Sequence, residues 1–498
     1  MAAPSAGFWQ RRGLFGLYEL LQSWWRHRVS FVISLVVSFG ALTLYYFTFF
    51  GEKSTPIFNF IQRLEFASLD TRFRYRPSDI TPVDARIAIV DIDQRSQEVL
   101  GKWPFSRTHF AKLLDVLRED GARVAAFDVT FSKPDQSAAP IRALWAELEA
   151  RKNRGEPVDP TLTAEVQKLA AAYDADKLFA AAIQRFGAVV LGNFFLHTEA
   201  DLRGMDDKTL DTYANQIAFY SFPSVRPLHP ETGKQDRISL MEKFAPDNLL
   251  PRGTEANLEV LTSSLSEEAS STGFFNVYPD VDGVVRQSNL LIPYGRSKDF
   301  SDWDLYASLD VQAVRSYFRL PNEQVVLEFG PVGAYRILFG EAAQIRTDDL
   351  GRVVINYHGP GYTYPHYSFA EVIANKFSPP TFQGKIVLIG ATATGIGDLR
   401  TTPYGGLDYP GVEIHANVIE QYIATPAVFP ADMCLGIISS GQAESTAMAR
   451  TALKWMLRVR IRIDRADGYT PFVLDHFDRY VSRIVRAFLE RDHLDLIA

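Results

Sequence analysis

The sequence predicts an α/β protein: one N-terminal transmembrane helix followed by a mostly parallel, helix-flanked sheet with insertions. Two observations support this class. Residues 29–50 form an uninterrupted apolar run without a charged side chain. A helix of that length rises roughly 33 Å, enough to cross a hydrocarbon core of about 30 Å. Beyond the run, short apolar segments alternate with segments of helical periodicity, which is the order of βαβ units.

The charges that flank the apolar run predict its orientation. Residues 1–28 are basic, whereas Glu52 and Lys53 balance each other after the run. The charged residues before the run are Arg11, Arg12, Glu19, Arg26 and Arg28. This excess of positive charge predicts a cytoplasmic N-terminus and an extracytoplasmic remainder. No A-x-A cleavage pattern follows the run, so we expect an uncleaved signal anchor with the lipid bilayer as a partner.

The composition excludes several functional classes. The chain has 498 residues and a net charge of -7 at pH 7, which argues against a nucleic-acid partner. Cys434 is the only cysteine, so neither an intrachain disulfide nor a cysteine zinc site can form. A secreted eukaryotic domain of this size would usually carry disulfides, and their absence favours the plasma (inner) membrane of a bacterium. We expect no metal and no cofactor.

The first half of the exported part predicts an open sheet. Residues 86–93 and 123–131 are buried-type strands, and the helical pattern of residues 108–119 joins them as a parallel pair. Residues 139–185 are largely helical in composition and lead to a third strand over residues 187–195. Three strands joined through helices predict a sheet with helices on its faces.

The second half is less regular. Residues 198–272 are polar with weak periodicity and predict an irregular insertion or lid. Residues 273–294 predict strands around a hairpin turn at Asp282-Gly283. The remaining predicted elements are helices over 303–318, 369–375 and 411–422, strands over 353–357 and 385–390, and a membrane-proximal helix over 58–77.

Several segments together resemble one family. They are ASLDTRFRYRP from Ala67, IAIVDID from Ile87, GKWPFSR from Gly101, AAFDVTF from Ala125, GFFNVYPDVDGVVR from Gly273, INYHGP from Ile355, KIVLIGATATGIGDLRTTPYG from Lys385 and GVEIHANVIE from Gly411. In this order and spacing they are similar to the extracellular sensory domain of the CHASE type, second class. The resemblance covers roughly residues 57–420.

The resemblance implies a membrane-anchored sensor of a bacterial signal-transduction protein. Members of this family sit outside the membrane after one span. They are commonly followed by about three further spans and by an adenylate or guanylate cyclase, a histidine kinase or a serine/threonine kinase. It therefore implies a sensory domain over residues 57–422, an unknown small-molecule or protein signal, and cyclic-nucleotide or kinase signalling. A homodimer is a further partner that we consider.

The tail, residues 423–498, departs from the family pattern. Its longest uncharged stretch, residues 433–443, is too short to span a bilayer, and the rest is basic and amphipathic. It carries no kinase or phosphate-loop motif, so we expect this chain as given not to be an enzyme. A truncated or frameshifted product and a stand-alone sensor with its own C-terminal module both fit.

Candidate ligand-binding residues lie where the predicted parallel strands end. In open α/β sheets, ligands bind beyond the carboxyl ends of the strands, at a switch in strand order. Carboxylates, a guanidinium and an indole at this edge would suit a small polar ligand, and no residue is assigned as catalytic. The candidates are Asp91, Asp93, Trp103, Arg107, Asp128, Asn193, Thr392, Asp398 and His415.

Other interpretations of these residues stay open. Asp91 and Asp128 would also serve to cap the following helices or to pair with Arg107 and Arg123. An envelope hydrolase that uses the strand-end carboxylates, or an interaction scaffold without a small ligand, are the rival functions. Three weaker motifs also have simpler interpretations. The segment from Gly390 resembles a phosphate loop but predicts a tight turn. Residues 278–283 predict a hairpin turn rather than a calcium loop, and residues 358–366 predict a packed aromatic loop rather than a zinc site.

Overall fold

The computed structural model divides into two compact units. It describes residues 32, 33, 35–40, 43, 56–76, 83, 86–137, 139–172, 174–222, 224–228, 251–266, 270–296, 303–330, 333–393, 399–406 and 408–423. The first unit holds the described residues up to Arg76 together with Pro403–Gly405, and the second holds the others.

The first unit contains the helix that the sequence predicts over residues 58–77, which is α1 (Pro56–Arg74). Its C-terminal turn contacts the segment Pro403–Gly405: Arg74 Nε donates to the carbonyl of Pro403 at 2.8 Å. The ring of Phe73, which is 7% exposed, lies 6.3 Å from that of Tyr404. This end of α1 is therefore anchored by both a hydrogen bond and apolar packing.

Most of the predicted span, residues 29–50, lies outside the described residues. Those described within it are helical, and the large apolar side chains among them are exposed, as at Phe39. Among all described residues, no helix combines the length and the apolar character needed to cross a membrane. The transmembrane role of residues 29–50 stays a prediction.

The second unit confirms the predicted α/β class. Its helices are α2 (Gln94–Leu100), α3 (Arg107–Glu119), α4 (Ala139–Asn153), α5 (Pro160–Ala172), α6 (Ala175–Phe186), α7 (Asp207–Ala218), α8 (Glu259–Thr262), α9 (Leu309–Phe318), α10 (Phe369–Ile373) and α11 (Gly411–Ile423). Its main strands are β1 (Ile87–Ile92), β2 (Val124–Phe127), β3 (Val189–Leu196), β5 (Gly253–Glu255), β6 (Ser271–Phe274), β14 (His366–Ser368) and β15 (Ile386–Ala391).

These seven strands form one sheet in the order β14-β1-β15-β2-β3, and both β6 and β5 pair with β3. Every pair is parallel except β3–β5. The last long strand in the sequence, β15, lies in the middle, between β1 and β2. Its residues, IVLIGA, are nearly all buried, as expected for a parallel strand covered on both faces.

Helices cover the two faces of this sheet. On one face, α3, α6 and α10 pack over alternate strand residues such as Val387 and Ile389, around a core that is centred on Phe110. On the other face, α9 and α11 pack on each other and on the sheet. Burying a side chain of this kind stabilises the fold by about 1.5–3 kcal/mol.

The remaining strands form smaller sheets. One has the order β12-β11-β10-β4, and the three others are two-stranded. The strands outside the main sheet are β4 (Ser224–Pro227), β7 (Gln287–Asn289), β8 (Leu291–Tyr294), β9 (Asp304–Ala307), β10 (Val325–Gly330), β11 (Gly333–Phe339), β12 (Ala343–Arg346), β13 (Arg352–Val354), β16 (Leu399–Arg400) and β17 (Tyr409–Pro410).

Two predictions about the middle of the chain need correction. Residues 198–272 are less irregular than predicted, because they contain α7, α8 and three strands, two of which join the main sheet. The tight turn predicted at Asp282-Gly283 is confirmed: Gly283 N–H donates to the carbonyl of Asp280 at 2.8 Å, and Gly283 has a φ of +82. The strands on either side of it do not pair with each other as a hairpin would, because β6 pairs with β3 and β7 with β13.

Candidate ligand-binding site

The sheet has a topological switch at the carboxyl end of β15. The chain leaves β1 and β2 for helices on one face, whereas it leaves β15 for α11 on the other face. Neighbouring strands whose connections diverge in this way leave a crevice between their carboxyl ends, where α/β proteins bind ligands. The sequence-predicted Asp91 and Asp128 stand at the ends of the two strands that flank β15.

Gly390 brings α11 close to the sheet at this switch. A Cβ atom on Gly390 would lie 2.6 Å from Cβ of Val412 and 3.2 Å from Oδ2 of Asp128. Asp91 is the register partner of Gly390 on β1. Only glycine permits this approach, so the first turn of α11 lies between the two aspartates.

A cluster of four side chains lies on the β1 side of the switch, and we call Asp91, His366, Glu413 and Tyr362 the His366 cluster. His366 Nδ1 is 2.8 Å from Asp91 Oδ2, and its Nε2 is 3.6 Å from Glu413 Oε2. The ring of Tyr362 lies 4.9 Å from that of His366. One imidazole therefore sits between two carboxylates, with an aromatic ring against it.

Electrostatics in the His366 cluster favour a protonated histidine. Burial alone would lower the pKa of His366, but the hydrogen bond to Asp91 and the nearby Glu413 outweigh burial and raise that pKa to about 9. Burial raises the pKa of Asp91, although the hydrogen bond to His366 opposes it. At neutral pH we therefore expect an imidazolium that is paired with Asp91.

Glu413 links α11 to the loop before β14. Its carboxylate accepts backbone N–H groups of three successive residues, Tyr362 at 2.6 Å, Thr363 at 2.7 Å and Tyr364 at 3.0 Å. Tyr362 has a φ of 65°, in the left-handed region that bulky residues rarely adopt. The glutamate fixes this unusual backbone and so positions the Tyr362 ring.

A second histidine lies on the β2 side of the switch. His415 Nδ1 is 2.8 Å from Asp310 Oδ1 of α9, and its Nε2 is 3.9 Å from Asp128 Oδ1. All three side chains are at most 9% exposed. Because Glu413 and His415 are two residues apart on α11, this one helix turn contributes to both groups.

A comparison with family models finds a match over most of the chain. The family model of the CHASE2 domain matches residues 40–444. The chain belongs to the CHASE2 domain family. No curated protein and no solved structure matches it. The CHASE2 domain is a sensory domain of signalling proteins and is not itself catalytic, so the clusters of buried acids and histidines belong to a sensor.

Asp93 has a helix-capping role in this CHASE2 domain. It is the N-cap of α2, and its Oδ1 accepts the N–H of Ser96 at 2.8 Å. The hydroxyl of Ser368 donates to the same oxygen at 3.0 Å, which joins β14 to β1. Asp93 therefore has the capping role that the sequence suggested for Asp91 and Asp128, whereas Asp91 contacts His366 instead of Arg107 or Arg123.

Arg107 and Trp103 have structural contacts. The Arg107 side chain is 3.8 Å from Asp176 and lies over the ring of Phe131 at 4.7 Å. Trp103 packs edge-on against Phe105 at 5.5 Å. These contacts fix the start of α3 and the loop after β2. They give Arg107 and Trp103 a structural role that needs no ligand.

The other sequence-predicted residues lie near the carboxyl ends of the strands or outside the described residues. Asn193 is on β3, where its carbonyl accepts the N–H of Phe275 at 3.2 Å. The N–H of Thr392 donates to the carbonyl of Ile92 at 3.2 Å, just after β15. Asp398 lies outside the described residues. The structure thus brings Asp91, Asp128 and His415 to the switch.

Neither a calcium loop nor a zinc site gains support within the part of the chain that the structure describes. No group of three or more potential ligands there is arranged to hold a metal ion. In the loop of residues 278–283, the buried guanidinium of Arg286 pairs with Asp280 at 3.0 Å and with Asp282 at 2.8 Å. A cation from the protein itself occupies the position that calcium would need.

Sequence reasoning missed four members of these clusters, which are His366, Glu413, Tyr362 and Asp310. It considered His366 without an acidic partner, but Asp91 and Glu413 both lie beside it. It passed over Asp310, which is completely buried. An available signal was the pattern G-V-E-I-H at the start of the last predicted helix, which sets an acid and a histidine two residues apart.

Proposed function

We propose that this chain is a membrane-anchored, extracytoplasmic sensor of a bacterial signalling protein, and that its small-molecule ligand binds at the switch beside β15. Residues 29–50 anchor it in the inner membrane with the N-terminus in the cytoplasm. The basic residues before this run support that orientation. Membership of a sensory family supports the signalling role.

One observation carries the placement of the ligand. Asp91 and Asp310 are each at most 6% exposed, and within the described residues Asp91 Oδ1 and Asp310 Oδ2 have no hydrogen-bond partner. A buried polar atom without a partner costs about 1–3 kcal/mol, and more when it is charged. Hydrogen-bond donors on a ligand would relieve this cost at the position where α/β sheets bind ligands.

The same geometry supports a route for the signal. Glu413 and His415 lie in the first turns of α11, so a ligand bound there biases the position of that turn. The chain just before α11 includes Pro403–Gly405, the segment that Arg74 and Phe73 of α1 contact. We propose that the ligand shifts an equilibrium between two conformations of the domain, and that α1 passes this conformational change to residues 29–50.

A thermal-shift screen tests the ligand site. The full-length protein is melted with small molecules of different charge, because a ligand that binds only the folded state raises the melting temperature. We expect a ligand whose shift is lost in Asp91→Asn and kept in Glu341→Gln, an exposed control with the same change of charge. A screen without any shift, or shifts equal in all three proteins, would contradict the ligand site.

A reporter fusion tests the membrane topology. Alkaline phosphatase, which folds actively only outside the cytoplasm, is fused after residue 425, and a cytoplasmic reporter is fused at the same position in parallel. We expect high phosphatase activity and an inactive cytoplasmic reporter. Replacing Arg26 and Arg28 by glutamate is expected to lower the phosphatase activity, because these charges set the orientation. The reverse reporter pattern would refute the extracytoplasmic placement.

A further inference from the structure

The His366 cluster has a net negative charge even when its histidine is protonated. It combines the two carboxylates of Asp91 and Glu413 with one imidazole. Within the part of the chain that the structure describes, no arginine or lysine forms an ion pair with these carboxylates. An anionic ligand would therefore be repelled by two like charges at close range, whereas a cation would complete the balance of charge.

Asp91 supplies the observation that points to a ligand rather than to a structural pair. The residue is 6% exposed, and only its Oδ2 contacts His366. Its Oδ1 is buried and has no hydrogen-bond partner among the described residues. An ionised carboxylate only accepts hydrogen bonds. The group that satisfies this oxygen must therefore carry an N–H or O–H donor.

Glu413 does not compete for such a donor. It is fully buried, and its two oxygens already accept the backbone N–H groups of Tyr362, Thr363 and Tyr364. Its charge still acts on the cluster. Glu413 therefore contributes attraction to a cation, and Asp91 contributes the directed hydrogen bond.

Tyr362 provides an accessible aromatic surface beside these acids. Its side chain is 54% exposed, while its ring lies 4.9 Å from His366. The face of a tyrosine ring carries partial negative charge and attracts a cation within about 6 Å of its centre. The ring lies at the solvent side of the cluster, where it can meet a ligand first.

We propose that the His366 cluster binds a small primary ammonium ion, with the ammonium donating to Asp91 Oδ1 and its alkyl part against the ring of Tyr362. This inference rests on the proposed sensory function and names the ligand class for it. A primary ammonium has three N–H donors as well as its charge. A quaternary ammonium has the charge without a donor and so cannot satisfy Asp91.

The test compares three probes in thermal shift and calorimetry on the full-length protein at equal ionic strength. The probes are methylammonium chloride, tetramethylammonium chloride and sodium acetate. We expect methylammonium alone to raise the melting temperature, with an apparent Kd at least tenfold weaker in Asp91→Asn and unchanged in Glu341→Gln. If Asp91→Asn fails to fold, Tyr362→Ala replaces it, because its half-exposed ring is dispensable for the core, and it is expected to weaken methylammonium binding severalfold.

The outcomes separate this inference from the broader proposal. Any of three results would overturn the ammonium assignment. Tetramethylammonium could raise the melting temperature as much as methylammonium does, or acetate could raise it while methylammonium does not. Methylammonium could also bind Asp91→Asn as tightly as the wild type. If another molecule of the screen binds and is lost in Asp91→Asn while methylammonium does not bind, the ligand class is wrong and the sensory site stands. If neither methylammonium nor any molecule of the screen binds, both fail.

Discussion

Replacing His366 by asparagine is expected to remove a defined part of the pH dependence of stability. The Nδ2 group of asparagine takes the approximate position of His366 Nδ1, so a neutral donor to Asp91 remains at the place of the 2.8 Å contact. What the variant loses is the proton that the folded protein holds on the imidazole. Comparing the two proteins at several pH values therefore isolates the charge.

The size of the effect follows from the shifted pKa. Burial opposes the shift, but Asp91 and Glu413 raise the pKa of His366 from 6.5 to about 9. At about 1.4 kcal/mol per pH unit, this corresponds to roughly 3 kcal/mol of stabilisation. Because the folded pKa is the higher one, the contribution is complete below pH 6.5 and is lost as the pH rises through 9.

The measurement is urea unfolding of the full-length protein at pH 6.0, 7.0, 8.0 and 9.5. We expect the wild type to lose roughly 2–3 kcal/mol more than His366→Asn between pH 6.0 and 9.5 at constant m. Burial lowers the pKa of His109, so His109→Asn is the matched control and should keep the wild-type profile above pH 6.5. Parallel profiles of wild type and His366→Asn would refute the paired imidazolium.

Three further substitutions test the fold around the site. Gly390→Ala places a methyl group 2.6 Å from Val412 Cβ. It should lower the free energy of unfolding by about 1–3 kcal/mol in urea melts, and an unchanged midpoint would contradict the close approach of α11. Arg286→Met leaves Asp280 without its buried partner and should cost about 3 kcal/mol in the same assay, whereas a neutral result would show that the pair is not needed. Phe73→Ala removes the contact with Tyr404. Amide hydrogen exchange in the last turns of α1, measured by mass spectrometry, should become at least tenfold faster. Exchange at the wild-type rate would show that this contact does not anchor the helix.

The central part of the fold could be predicted because its strands are continuous apolar runs. The runs that become β1, β2, β3 and β15 are buried almost throughout, so their pattern is independent of what they pair with. β14 is different, since its three residues are only half-buried and carry no apolar run. Its place at the edge of the sheet depends on pairing with β1, which no local pattern encodes.

The candidate site could be predicted in part, for a similar reason. Asp91 and Asp128 follow recognisable strands, and the rule that ligands bind at strand ends selects them. Their partners come from elsewhere: His366 is 275 residues from Asp91, and Asp310 is 105 residues from His415. The first pair is specified by the pairing of β14 with β1 and the second by the packing of α11 on α9, neither of which one sequence reveals.

Under the proposed function, the position of α11 would let one site serve both binding and signalling. Its first turns carry Glu413, which faces the β1 side of the switch, and His415, which faces the β2 side. Val412, the residue before Glu413, packs against Gly390, so this end of the helix cannot move without changing both histidine groups. Pro403–Gly405, which α1 contacts through Arg74, lies a few residues earlier in the chain. Under the proposed function, a ligand that alters the charge balance at Asp91 would act on α11, which begins a few residues after the segment bound by α1, and we infer that this order along the chain would connect the site to α1.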